Sequence, residues 1–468
     1  MGDKLGKGLE DIEAPEDVAN TADYQRGDLK EDLTTYDAVF GAVGEDGPNY
    51  RNVGWLGTVA LMLKTQIGLG VLSIPAIFDL VGVVPGVILL CIVAAIAGWA
   101  SYMVGVFKLN HRELYNMDDA GRLMFGKIGR EVFGVAFCLY WIFVAGSGIL
   151  GISIGLNAIS SHGICTAWFV AISACIGFMF ASVRTLGRIS WIAWVGLTCI
   201  LTAVLLVTIA VGIEGGPSSA PKSWSSDFKV STTPSFADGV SAVASLIFAC
   251  SATPAYFSLV AEMRDPRYFT RSVVISQMGS TALYVTIGVV VYYYCGSLVA
   301  SPALGSAGTL IKKIAYGISL PGLIATTTIV LHLPSKYVFV RILRGSVHLT
   351  SNSMVHWTTW ISCTFGSTVV AYVIASGITV FGSLLSLIGA LLGSFLAFQP
   401  AGCMWFYDNW NKPRTWKWYI LAFWSAFLII GGTFMTVAGT YGSVVNIIES
   451  LHAGGGTRPW SCADNSNS

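Results

Sequence analysis

Charged residues are scarce in this chain. Asp, Glu, Lys and Arg make up 11% of its 468 residues, whereas a soluble globular domain usually contains about 25%. Hydrophobic residues make up 54%, and the mean hydropathy is +0.66. This composition excludes a soluble globular protein and predicts an integral membrane protein surrounded by a lipid bilayer. The net charge of +1 suggests no nucleic-acid partner.

Residues that commonly bind metals or carry catalysis are also few. The six histidines are scattered, and the ten cysteines form no CxxC pair and no His/Cys spacing typical of a metal site. A membrane-embedded enzyme, the main alternative class, needs clustered His, Asp or Glu inside its helices. A GxxxxGK[ST] phosphate-binding loop is absent too. We therefore expect no enzymatic activity, no cofactor, no bound metal and no ATP-driven transport, and most cysteines to act as small hydrophobic residues.

Half of the acidic residues lie at the start of the chain. Residues 1–51 contain thirteen acidic and five basic residues. A stretch with high net charge and few apolar residues buries too little surface to fold. We predict an acidic, mostly disordered cytoplasmic tail over these residues.

Eleven apolar segments follow this tail. A helix needs about 20 residues to cross a bilayer, and open strands cannot satisfy their backbone in lipid. Each segment is therefore predicted to be a transmembrane helix, although the fourth is barely long enough. Numbered segments 1 to 11, they cover approximately 53–80, 84–107, 131–160, 166–183, 189–213, 236–262, 272–299, 318–344, 356–378, 381–406 and 416–443.

Basic residues are unevenly distributed between the two sides of this membrane domain, which spans about 52–445. With a cytoplasmic N-terminus, sixteen Lys and Arg residues fall on the cytoplasmic side and five on the other. Cytoplasmic loops carry such an excess in membrane proteins. We therefore predict a cytoplasmic N-terminus, and eleven crossings then make residues 446–468 a short extracellular tail.

Two segments contain residues that weaken a helix. Segment 1 contains TQIGLGVLSIP at residues 65–75, and segment 6 contains FACSATPAYF at residues 248–257. Glycine inside a helix costs about 0.5–1 kcal/mol relative to alanine, and proline removes a backbone donor. Close helix packing also favours small residues and is the alternative explanation. Both interruptions, however, fall in the first helix of a five-helix half, which is typical of an inverted repeat with a midplane binding site.

The sequence thus predicts an all-α membrane protein with a five-plus-five inverted repeat, its halves at about 52–213 and 236–407, and with discontinuous helices in segments 1 and 6. Amides released in segment 1 offer donors and a positive dipole end to a carboxylate, and carbonyls released in segment 6 offer acceptors to an ammonium group. A zwitterion of amino-acid size satisfies both. The predicted site residues at the interruptions are Ile67, Gly68, Leu69, Gly70, Phe248, Ala249, Cys250, Ser251 and Thr253.

These motifs resemble a known family. GLGVLSIP in segment 1 and FACSATPAYFSLVAEM in segment 6 look like those of the fungal amino acid/auxin permease family, within the amino acid–polyamine–organocation superfamily. The likeness is to its N-system branch of the methyltryptophan-resistance type, and it covers roughly residues 50–445. It implies the five-plus-five fold, a plasma-membrane location and proton-coupled import. Many members carry a histidine where this chain has Thr253, so the resemblance assigns no proton role to that position.

Three ionisable residues are candidates for gating or proton coupling. Lys64 falls about 16 Å along segment 1, near the middle of a hydrocarbon core about 30 Å thick. Either it pairs with Glu262 at the inner end of segment 6, or it snorkels to the cytoplasm. Glu262 is alternatively part of an interfacial ion network with Arg264 and Arg267. His332 in segment 8 either couples protons or is satisfied by a neighbouring carbonyl.

Aromatic side chains are predicted to line the site, namely Tyr256 in segment 6 and Tyr140 and Phe143 in segment 3. Apart from Lys64, no fixed charge lies near either interruption, so neutral substrates fit better than charged ones. The predicted function is import of neutral aliphatic and aromatic L-amino acids across the plasma membrane, with protons as the coupling ion. The alternatives are an amino-acid sensor on the same fold and a vacuolar amino acid exporter or importer.

Overall fold

The computed structural model describes residues 36–37, 41–42, 53–183, 189–217, 220–221, 224–344, 346–349, 353–453 and 458–466. In the predicted tail, the described residues form two short strands, β1 (Tyr36–Asp37) and β2 (Gly41–Ala42), which pair antiparallel. The prediction of disorder for the rest of residues 1–51 lies outside the described residues. The remaining described residues belong to a separate helical unit.

Every predicted membrane segment is helical in the part of the chain that the structure describes. Among the described residues, ten spans are long and apolar enough to cross a membrane, and the helix of segment 4 is shorter, with 16 residues. The predicted all-α membrane fold is confirmed. In chain order the helices are α1 (Trp55–Ile67), α2 (Ile74–Val81), α3 (Val83–Asn110), α4 (Met117–Ser160), α5 (Thr166–Ala181), α6 (Ile189–Glu214), α7 (Phe236–Cys250), α8 (Tyr256–Glu262), α9 (Phe269–Cys295), α10 (Thr309–Leu343), α11 (Met354–Gly377), α12 (Phe381–Ile388), α13 (Ser394–Asn409), α14 (Trp416–Phe434) and α15 (Thr440–Ala453).

The helices of the two repeats pack into two groups. Segments 3, 4, 8 and 9, which are α4, α5, α10 and α11, each pack against the other three. In the second group α9 packs against α1, α2 and α3, and both α2 and α3 pack against α7. The helix α6 contacts α1 and α10 and so joins the groups. Both interrupted segments, α1–α2 and α7–α8, belong to the second group.

Segment 10 packs directly against the backbone of segment 6. Between α12 and α13 the chain forms a π-helical turn over Gly389–Gly393. A β-carbon on Gly389 would lie 1.9 Å from the carbonyl oxygen of Ala244 in α7. Only glycine allows an approach this close, and the contact supports α7 just before it is interrupted.

Segment 11 extends beyond its predicted end near residue 443. The helix α14 passes through a π-helical turn over Met435–Gly439 and continues as α15 to Ala453. The hydropathy of the sequence falls over the final turns of α15, and for this reason the predicted segment ended too early. Those turns pack against α7.

A disulfide bond joins Cys165, at the start of α5, to Cys462 near the C-terminus. Beside it, the Asn157 side chain at the end of α4 donates a hydrogen bond to the side-chain oxygen of Asn465 at 2.7 Å. Residues 458–466 are thus fastened to the ends of α4 and α5. Neither cysteine behaves as a small hydrophobic residue, so that interpretation does not extend to this pair.

Candidate functional site

Segment 1 is interrupted where its glycines lie. The helix α1 ends at Ile67, residues Gly70–Leu72 form a single 3-10 turn, and α2 begins at Ile74. Pro75 lies in the first turn of α2, where a backbone N–H has no partner within the helix in any case. The glycine and proline positions therefore produce the predicted discontinuity.

Segment 6 is interrupted in the same way. The helix α7 ends at Cys250, and Ser251 leaves the helical conformation with φ −109° and ψ 83°. A 3-10 turn over Thr253–Ala255 follows, and α8 begins at Tyr256. The prediction of discontinuous helices in segments 1 and 6 is confirmed.

The two interruptions lie in direct contact. A β-carbon on Gly70 would lie 2.8 Å from the Cα atom of Ala249, well inside the van der Waals distance. Gly68 faces α10, where a β-carbon would lie 3.0 Å from the methyl group of Thr326. Close packing, the alternative explanation for these glycines, therefore applies together with the interruption.

The Tyr284 hydroxyl in α9 bridges the two interruptions. It lies 2.7 Å from the carbonyl oxygen of Gln66 and 3.1 Å from that of Ala249, and it donates its hydrogen to this pair of acceptors. Tyr284 is fully buried. Tyr284 was not predicted as a site residue, because nothing in the apolar pattern of segment 7 distinguishes it.

Side chains also contact the next carbonyl groups of segment 6. The Gln66 amide nitrogen donates to the carbonyl oxygen of Cys250 at 3.3 Å and to the side-chain oxygen of Gln277 at 2.9 Å. The Tyr140 hydroxyl donates to the carbonyl oxygen of Ser251 at 3.1 Å. A carbonyl oxygen has two lone pairs. These contacts therefore orient the carbonyl groups and still allow them to accept a hydrogen bond from a ligand.

Three other predicted site residues are buried around the interruptions. The Tyr256 hydroxyl accepts a hydrogen bond from the Gln66 amide nitrogen at 3.3 Å. The Thr253 hydroxyl lies 3.3 Å from the hydroxyl of Ser101 in α3. Ile67 is buried in the hydrophobic core.

A small cavity separates the interruptions from α4 and α10. It has room for the centre of only about one water molecule. The interruptions are therefore closed against α4 and α10 in this conformation. Among the described residues that form its walls, none is acidic or basic; they are Thr65, Gln66, Leu69, Gly70, Tyr140, Trp141, Val144, Phe248, Ser251, Ala252, Thr326 and Val330.

The face of α4 that reaches the cavity differs from the predicted one. Tyr140, Trp141 and Val144 are on the cavity wall, whereas Phe143 is half-buried and is not. At 3.6 residues per turn, positions 140, 141 and 144 share a face, and position 143 points about 100° away from it. The apolar pattern of segment 3 does not indicate how the helix is rotated, so Phe143 was predicted to line the site and Trp141 was not.

The ammonium group of Lys64, a residue of α1, is buried against α6 and α10. Lys64 is 2% exposed, and its Nζ donates hydrogen bonds to the carbonyl oxygen of Gly322 at 3.0 Å and to the Thr326 hydroxyl. Gly196 in α6 leaves room for it, since a β-carbon there would lie 2.9 Å from the Lys64 Cε atom. Lys64 therefore neither snorkels nor pairs with Glu262 in this conformation.

Glu262 makes its ion pair with Lys336 in α10 instead, at 3.9 Å. Its backbone joins the two interrupted segments, because its carbonyl oxygen accepts a hydrogen bond from the Val53 amide at 3.3 Å. The Arg264 amide in turn donates to the Val53 carbonyl oxygen at 3.0 Å. The start of segment 1 is thus tied to the end of segment 6.

His332 lies between α10 and α11 and is not on the cavity wall. Its ring packs edge to face against Trp360, with ring centroids 4.9 Å apart. Within the described part of the chain, its Nδ1 has no hydrogen-bond partner. Of the three ionisable candidates, the structure places only Lys64 against a cavity residue, Thr326.

The fold and site together define a class, that of all-α membrane transporters with a five-plus-five inverted repeat. One solved structure with this fold is Mhp1, a nucleobase-cation-symport-1 family transporter, in a closed conformation with bromovinylhydantoin bound. It has a TM-score of 0.54 and 14% sequence identity, and the match covers 89% of this chain and 96% of that chain. Another is MhsT in complex with L-phenylalanine, with a TM-score of 0.52 and 12% identity, covering 84% and 98%.

Within that class, the chain belongs to the transmembrane amino acid transporter protein family, which it matches over residues 51–445. A "Transmembrane transporter" of Gibberella moniliformis is 33% identical over 428 residues, or 90% of each chain. The "N amino acid transport system protein" of Neurospora crassa is 32% identical over 428 residues, again 90% of each chain. The resemblance seen in the motifs of segments 1 and 6 is therefore confirmed.

Proposed function

We propose that this protein imports neutral aliphatic and aromatic amino acids across the plasma membrane by proton symport. The observation that carries the proposal is the pair of facing interruptions around a cavity whose described walls hold no acidic or basic side chain. Two similar proteins support it. The Neurospora crassa relative is named for amino acid transport, and the related fold of MhsT holds the neutral aromatic L-phenylalanine.

The two ends of the substrate bind to the two interruptions. The carboxylate accepts hydrogen bonds from the amides of residues 68–70, near the positive end of α2. The ammonium group donates to the carbonyl oxygens of residues 248–250. The Gln66 side-chain oxygen adds an acceptor there, since it is buried and has no donor among the described residues.

Lys64 is the proposed proton carrier. An ammonium group binds carbonyl and hydroxyl oxygens more strongly than a neutral amine does, so protonation holds α1 against Gly322 and Thr326 of α10. Deprotonation weakens that contact and removes a charge that is costly to bury. Because Thr326 also forms part of the cavity wall, the contact links the proton to the substrate site.

Lys64→Met tests this role, because methionine fills a similar volume without a titratable group. In liposomes, the variant is expected to exchange labelled leucine across the membrane but to lose accumulation driven by an imposed proton gradient. Lys417→Met, at an exposed position, is the control and is expected to accumulate leucine like the wild type. Gradient-driven accumulation by Lys64→Met at the wild-type level would contradict the role of Lys64.

The disulfide bond supports the proposed orientation. Disulfides form and persist in oxidising compartments such as the cell exterior. A bond between Cys165 and Cys462 therefore favours placing the loop between α4 and α5, together with residues 458–466, outside. The N-terminus is then cytoplasmic, in agreement with the distribution of basic residues.

Uptake by the purified protein in liposomes tests the function as a whole. Labelled leucine and phenylalanine are expected to accumulate when a proton gradient is imposed, and a proton ionophore is expected to abolish this. Preferred entry of arginine or glutamate would contradict a neutral site, and accumulation insensitive to the ionophore would contradict proton coupling. A sensor would bind leucine without accumulating it.

Microscopy of the fluorescently tagged chain in fungal cells distinguishes plasma membrane from vacuole.

A further inference from the structure

The indole N–H of Trp141 is a buried donor without an acceptor among the described residues. Trp141 is 1% exposed, and its Nε1 has no hydrogen-bond partner in the part of the chain that the structure describes. The residue lies on the wall of the cavity. Buried polar groups are almost always paired in native proteins, so an unpaired donor at a binding cavity indicates a partner supplied by the ligand.

The position of Trp141 shows which part of the ligand it meets. The interruptions form one side of the cavity, and Trp141 and Val144 of α4 with Thr326 and Val330 of α10 form the other. If the interruptions hold the carboxylate and ammonium groups, the substrate side chain extends towards α4 and α10. This step depends on the proposed function.

The other groups on that side offer no free donor. Val144 and Val330 are apolar, and the Thr326 hydroxyl already donates to the carbonyl oxygen of Gly322 at 2.9 Å. The Tyr140 hydroxyl is likewise engaged with the carbonyl oxygen of Ser251. Among these five described side chains, the Trp141 N–H is therefore the donor left for the substrate.

We propose that Trp141 determines specificity by donating a hydrogen bond from Nε1 to a side-chain oxygen of the substrate. Neutral amino acids with a hydroxyl or amide side chain are then preferred over apolar ones of the same shape. An apolar side chain leaves the indole N–H unpaired in a closed cavity, which costs about one hydrogen bond, so valine and leucine remain substrates but have a lower ratio of maximal rate to KM.

Two nearly isosteric substrate pairs test the proposal in liposomes: threonine against valine, and asparagine against leucine. For the wild type, the ratio of maximal rate to KM is expected to favour threonine and asparagine. Trp141→Phe retains an aromatic ring without the N–H, and it is expected to reduce this preference about tenfold, which corresponds to the loss of one hydrogen bond. In this variant the ratio of maximal rate to KM is expected to fall for threonine and asparagine rather than for valine and leucine.

Trp424→Phe is the matched control. Trp424 in α14 also has a buried indole nitrogen without a partner among the described residues, but it packs against Trp99 with ring centroids 6.2 Å apart and is not on the cavity wall. This variant is expected to keep the wild-type substrate preference.

Several results would overturn the assignment of Trp141. An equal loss for all four amino acids in Trp141→Phe would show that the ring only packs, and an unchanged preference would show that its N–H meets no substrate. If the variant does not reach the membrane, wild-type protein that prefers valine and leucine contradicts the proposal by itself. Wild-type protein that transports none of the four amino acids contradicts the proposed function instead.

Discussion

The absence of a side chain at Gly70 sets the distance between the two interruptions. A methyl group there would lie 2.8 Å from the Cα atom of Ala249, and backbone atoms cannot rotate away as a flexible side chain can. Overpacking of this kind costs about 1–3 kcal/mol, and about 1.4 kcal/mol corresponds to a tenfold change in an equilibrium. Gly70→Ala is therefore expected to reduce leucine uptake by about tenfold or more, measured at equal amounts of protein in liposomes.

Gly366→Ala in α11 is the control for Gly70→Ala, since a β-carbon at position 366 would have no atom within 4 Å. It is expected to transport leucine like the wild type. Wild-type uptake by Gly70→Ala would show that the contact with Ala249 is not needed and would remove the main geometric support for the site.

At the scale of the element, α9 holds the two interruptions together through the hydroxyl of Tyr284. Removing it leaves the carbonyls of Gln66 and Ala249 without this donor, at a cost of about 1 kcal/mol. Tyr284→Phe is therefore expected to raise the KM for leucine several-fold and to lower the thermal unfolding midpoint in detergent. Tyr293→Phe alters the same helix at a residue that is 48% exposed, and neither quantity is expected to change. A KM for Tyr284→Phe equal to that of the wild type would show that α9 does not position the interruptions.

At the scale of the whole molecule, the Cys165–Cys462 bond links parts of the chain 297 residues apart. Loss of a native disulfide typically costs about 2–4 kcal/mol, so Cys462→Ser is expected to lower the thermal unfolding midpoint. Cys175→Ser, which replaces a free cysteine of α5, is expected to leave it unchanged.

The same bond tests the orientation of the chain. A membrane-impermeant maleimide applied to intact cells is expected to label the wild type at Cys165 and Cys462 only after treatment with an impermeant reductant. Cys175→Ser is expected to label equally, and the double variant Cys165→Ser/Cys462→Ser is expected to lose this labelling. Labelling that requires permeabilised cells would contradict an extracellular location of these residues.

The membrane class, the eleven segments and the two interruptions could all be predicted from the amino-acid sequence alone. The length of an apolar run decides for each segment separately whether it can cross the bilayer. The helix is weakened locally at each of Gly68, Gly70, Pro75 and Pro254. Neither effect needs tertiary contacts, so both could be predicted from the sequence. The lack of acidic and basic residues on the described cavity wall could also be predicted, because few charged residues occur near TQIGLGVLSIP or FACSATPAYF.

Which side chains meet at the site depends on tertiary packing and could not be predicted from the sequence. Lys64 contacts Gly322, which is 258 residues away, and Tyr284 reaches carbonyls of two different segments. The choice of Trp141 over Phe143 depends on the rotation of α4, and the end of segment 11 depends on packing against α7. Such contacts follow from how distant helices pack. The rotation of a helix that is apolar on most of its faces is not evident from its hydropathy, and hydropathy along the chain does not identify neighbours far apart in sequence.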